Sequence, residues 1–85
     1  MPREQLKKEL SALHQEMEKL DGITDDRRQQ IEDVARAVGA VSNGAQPGEA
    51  LVAEIEERVM VFDNEHPQLS AVLRRLVSAL SAIGA

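Results

Sequence analysis

The segment from Pro67 to Gly84, PQLSAVLRRLVSALSAIG, places Leu69, Val72, Leu73, Leu76, Val77, Leu80 and Ile83 at spacings of three and four. That period belongs to a helix with one broad apolar face. No other stretch carries as many large aliphatic side chains, so this helix is expected to be the central stave of any core. Strand signals are nearly absent. The valines fall at helical spacing, and no segment alternates with a period of two. The fold class that follows is all-α.

The other helices are read from their stripes and their stops. Leu6, Leu10, Leu13, Met17 and Leu20 are spaced four, three, four, three, which is a short heptad seam. Such a seam serves one helix of a bundle, or it also meets a second copy of the chain, because both kinds of packing use the same residues. Lys7, Glu9, His14 and Glu16 are read as its flanks. At Asp21-Gly22-Ile23-Thr24, Gly22 is suited to the left-handed turn past a helix end and Thr24 to the N-cap of the next helix. Asp25 and Asp26 then meet the positive end of that helix dipole. Ile31, Val34, Ala35, Val38 and Val41 carry the second stripe past Gly39 to about Ser42. The run Ser42–Gly48 is the one clear loop, and a third helix starts near Pro47 and Glu49. Its stripe is Leu51, Val52, Ile55, Val59 and Phe62, with Glu54, Glu56 and Glu57 on an acidic outer face. Asp63–Pro67 forms a tight corner, because proline disfavours helical backbone at His66. Four helices are thus expected, at about 3–20, 25–41, 48–64 and 67–83.

A chain of 85 residues is expected to form a single domain, 1–85, with a thin core. Phe62 is its only aromatic residue and it has no cysteine, so disulfides and thiolate metal sites are excluded. The net charge of −5 repels nucleic acid unless the basic residues gather on one face. The first ten residues, MPREQLKKEL, lack the apolar segment of a signal peptide, and no run is long enough to span a bilayer, so a cytoplasmic location is the default.

Candidate chemistry is sparse. His14 and His66 form no close metal-ligating pair with each other. The lone Asp63-x-x-His66 pair reads better as capping at the corner, with the His66 ring covering exposed backbone. The serines Ser70, Ser78 and Ser81 lie within a helix and lack a glycine elbow, so catalysis is not expected, and neither is a cofactor. Arg27-Arg28 and Arg74-Arg75 would meet a phosphate or an acidic partner if the fold brought the two pairs together. The competing reading is a solvated face bridged to the many glutamates, each exposed bridge contributing under about 1 kcal/mol. The continuous run Val59-Met60-Val61-Phe62 wraps beyond one helix face. Met60 and Val61 should therefore point outward, and Val61 is the leading candidate for an intermolecular contact.

The early segment LSALHQEMEKLDGITDD and the closing segment FDNEHPQLSAVLRRLVSALSAIG resemble a family of small bacterial proteins known as domain of unknown function 4404. The resemblance rests on Leu10, Leu13-His14 and Leu20-Asp21, then on Phe62, His66-Pro67, Leu69, Leu73-Arg74-Arg75-Leu76, Leu80 and Ile83-Gly84. It covers the two ends well and the middle loosely. It implies a small helical bacterial protein and brings no activity or binding residues with it, but it makes His14 and the His66 corner worth testing.

Two arrangements satisfy this pattern: a monomeric antiparallel bundle of four helices, and a symmetric homodimer. The thin core, the seam and the outward apolar residues favour the homodimer. The expected function is that of a non-enzymatic interaction or scaffold module acting through helix surfaces, with an interface drawn from Leu6, Leu10, Leu13, Met17, Met60 and Val61. The alternatives are a nucleic-acid-associated regulator using the arginine pairs and a weak metal or ligand binder near His66.

Overall fold

The computed structural model describes residues 2–46 and 48–84. The described residues form four α-helices and no strand: α1 (Pro2–Lys19), α2 (Asp25–Ser42), α3 (Glu49–Phe62) and α4 (Pro67–Ile83). The expected start of α3 at Pro47 lies outside the described residues.

Local chemistry sets the boundaries. α1 closes one residue before Leu20, whose backbone N–H donates to the Met17 carbonyl at 3.2 Å in a last tight turn. Gly22 then takes φ +73°, which a side chain would resist. Thr24 has extended backbone, and its hydroxyl oxygen accepts from the Arg27 N–H at 3.2 Å. That bond satisfies one of the otherwise orphaned donors of the first turn. α2 runs through Gly39 to Ser42, whose hydroxyl donates back to the Gly39 carbonyl at 2.8 Å. α3 contains its whole apolar stripe and ends at Phe62, two residues before the expected 64. Gly48 is extended and precedes it, and beyond Phe62 the chain turns through Asp63–Glu65. The corner closes where the His66 N–H reaches the Phe62 carbonyl at 2.8 Å.

Packing then organises around α4. Its most extensive surfaces lie against α1 and α3; α1 also packs on α2, and α2 meets α3 over a smaller area. Among the described residues, the backbones of α1 and α3, and those of α2 and α4, do not approach closely and face each other across the core. Leu69, Leu73, Leu76 and Leu80 of α4 are sealed from solvent, together with Leu6 and Leu13 of α1, Ile31, Val34 and Val38 of α2, and Ile55 and Phe62 of α3. These side chains form one cluster to which every helix contributes.

Cross-helix hydrogen bonds fix the directions. The Arg3 Nε–H donates to the Val41 carbonyl at 3.2 Å, joining the start of α1 to the end of α2. The fully buried Ser70 hydroxyl donates to the Val59 carbonyl at 3.3 Å, joining the start of α4 to the last turn of α3. A small side chain there lets two backbones approach while its one polar group finds a partner.

The heptad seam of α1 divides between two neighbours. Leu6 and Leu13 are sealed within the chain's own core, while Leu10, Met17 and Leu20 pack against it and keep partial exposure. A helix wedged between α4 and α2 serves two surfaces, so a single line of residues does not face one partner.

Burial on this scale makes α4 sensitive to truncation. Leu73→Ala should lower unfolding free energy by about 2–5 kcal/mol, whereas Thr24→Ala should cost about 1 kcal/mol. Urea unfolding followed by circular dichroism measures both.

Candidate functional site

The two arginines at the middle of α4 are adjacent in sequence but reach in different directions. Arg74 donates from Nη2 to Asp63 Oδ1 at 3.1 Å, tying α4 to the corner after α3. Arg75 donates from Nε to Glu9 Oε2, tying α4 to α1. Glu9 is buried, with only 7% of its surface exposed, whereas the Arg75 side chain is half exposed. The pair therefore holds a carboxylate at the edge of the core, where an opposite charge must be present to offset its desolvation.

Glu9 was legible only in part. It stands three residues after Leu6 and four before Leu13, so helical geometry places it on the buried face rather than on a flank.

The second arginine pair is placed elsewhere. The Arg27 guanidinium lies 5.7 Å from the centre of the Phe62 ring, a cation–π distance, and Arg28 is half-buried on α2. Arg27 and Arg74 thus approach neighbouring residues, Phe62 and Asp63, while Arg75 serves α1. Three of the four guanidiniums are engaged within the chain. On α3, Arg58 approaches Glu54 and Glu57 at 3.8 Å, and its buried Nε has no hydrogen-bond partner among the described residues.

The His66 corner differs from the expectation of side-chain capping. His66 occupies the N-cap position of α4 at φ −136°, ψ 68°, and its side chain makes no cap hydrogen bond. Asp63 is directed to Arg74 instead. The ring of His66 tilts towards Phe62, with centroids 6.0 Å apart and planes at 48°. The local reason is that Phe62, one turn back and the one phenylalanine of the chain, offers the ring an aromatic neighbour. A cavity of about 330 Å³ lies at this corner, between the end of α1 (Glu16, Lys19, Leu20) and the start of α4 (His66 to Leu69).

His14 is exposed and borders a different groove, between α1 and α2, floored by Leu10, Met17, Ala35 and Gly39. The two histidines therefore share no cavity. Among the described residues, no three His, Asp or Glu side chains gather as metal ligands.

The outward apolar residues are on α3. Met60 is 79% exposed and Val61 37%, so Met60, rather than Val61, is the larger uncovered surface. A shallow groove of about 370 Å³ runs beside Met60 between α3 and α4, bounded by Glu56, Val59, Arg74 and Val77. Leu6 and Leu13, grouped with these residues in the sequence-based interface, are instead enclosed by the chain's own helices.

The family described as Domain of unknown function (DUF4404) matches residues 6–85. No curated protein and no solved structure matches the chain. No helix among the described residues is long and apolar enough to cross a membrane.

The two α4 ion pairs should differ in weight. Arg74→Ala should cost under about 1 kcal/mol, as for an exposed pair. Arg75→Ala should cost about 1–3 kcal/mol, because Glu9 is left buried without its partner. Thermal and urea unfolding of the two variants, compared side by side, measures the difference.

Proposed function

The chain belongs to the family described as Domain of unknown function (DUF4404), and from that premise we propose that it is a small non-enzymatic interaction module, a bundle of four helices that acts through helix surfaces as a homodimer. The observation that carries this reading is Met60. A large apolar side chain left 79% exposed on α3, beside a groove that α3 shares with α4, is a surface suited to covering by another molecule.

The same surface accounts for the apolar character of α3. Its last turn is apolar on every side, from Val59 to Phe62, although Val59 and Phe62 alone are buried. A helical turn that is apolar on every side is suited to cover on more than one side. α3 packs extensively only on α4, so a partner helix on its free side would complete the enclosure. A core with one aromatic residue adds support, since small domains commonly draw stability from association.

The absence of catalysis in this reading rests on how the reactive groups are engaged. The Ser70 hydroxyl is directed to a backbone carbonyl, and His14 and His66 border separate cavities. The nucleic-acid reading draws less support, because Arg27 and Arg75 are engaged within the chain and the net charge is −5.

Light scattering across a dilution series tests the proposal. The expected result is twice the chain's 9.3 kDa at high concentration, falling towards the single-chain mass on dilution. A monomer at every concentration removes the homodimer.

A further inference from the structure

We propose that the copies of this chain meet through the α3–α4 groove around Met60, with Glu56 of each copy paired to Arg74 of the other; this siting rests on the homodimer reading above. The groove has an apolar lining of Val59 and Val77, with the exposed Met60 beside it, and carries one charge of each sign, Glu56 on α3 and Arg74 on α4. A two-fold interface brings one patch against itself, so whatever residue meets a second is met by it in return. A patch with one acid and one base beside an apolar centre satisfies that rule: the two-fold brings the Met60 side chains together at the middle and forms the Glu56–Arg74 pair twice.

The charges are available for this role. Glu56 is exposed and makes no ion pair among the described residues. The Arg74 side chain is 59% exposed, and its bond to Asp63 uses Nη2 alone, leaving further N–H groups on the planar fork. The competing α1–α2 groove at Leu10 and Met17 is a weaker candidate. Its floor side chains are already packed against the core, whereas Met60 stands clear of it. Its rim carries one charge of each sign as well, Glu32 and Arg36, so the exposure of the apolar centre decides between the two grooves.

Charge reversal tests the pairing. Glu56→Arg sets arginine against arginine in its homodimer, and Arg74→Glu sets glutamate against glutamate. Each variant alone should therefore show a dissociation constant raised roughly tenfold or more. An equimolar mixture of the two restores an opposite-charge contact at both places, one with its sign reversed and one as in the wild type, so the mixture should dimerise near the wild-type concentration. Circular dichroism checks that both variants are folded. Met60→Lys, at a position outside the core, provides a reading independent of the Asp63 contact and should also weaken the dimer. If wild type dimerises while all three variants match it, or if the mixture fails to recover, the siting is overturned and the homodimer reading stands. If wild type is monomeric throughout, both are overturned.

Discussion

Everything in this molecule hangs on the two-sided burial of α4. Leu69, Val72, Leu73, Leu76 and Leu80 are enclosed because α1 covers one side of the helix and α3 the other. A helix of this length is marginal in water by itself, so its existence depends on those neighbours and theirs on it. The polar groups follow the same plan. Ser70 bonds α3, Arg74 bonds the corner after α3, and Arg75 bonds α1. α2 stands outside this arrangement, attached through α1 and, over a smaller surface, α3.

Much of this was legible before any coordinates. Periodicity located all four helices because each stripe is long and its stops are chemically specific. Gly22 and Thr24 marked one boundary, and the proline after His66 marked another. The stripe of α4 identified Leu69, Val72, Leu73, Leu76 and Leu80 as buried, whereas its members Val77 and Ile83 keep partial exposure and the buried Ser70 and Ala79 lay outside it. Side-chain destinations were harder to read, because they depend on which helices become neighbours. Glu9 looked like a flank residue until α4 brought Arg75 beside it, 66 positions along the chain. The seam of α1 looked like one surface until α2 and α4 divided it.

The candidate site was legible in outline and not in detail. The run Val59-Met60-Val61-Phe62 must expose some of its members, since no helix buries four consecutive side chains against a single neighbour. Which member stands out depends on where α4 crosses, and that favoured Met60 over Val61. The His66 corner shows the opposite case. Sequence chemistry offered a capping role for the ring, but Phe62 provides an aromatic neighbour and Asp63 finds Arg74. The arginine pairs diverge for the same reason. Adjacent residues on a helix point about 100° apart, so a doublet need not form one charged patch.

The contact between the first and last helices has a consequence for synthesis on the ribosome. A chain emerges from its N-terminus, and domains generally fold as units once their segments are available. α1 and α2 can pair as soon as both have appeared. The carboxylate of Glu9 must nevertheless stay hydrated until Arg75 has been added, and the faces of α1 and α3 that α4 covers remain open until then. The faces of α1 and α3 that α4 covers are thus the last apolar surfaces of this bundle to be enclosed as the nascent chain grows.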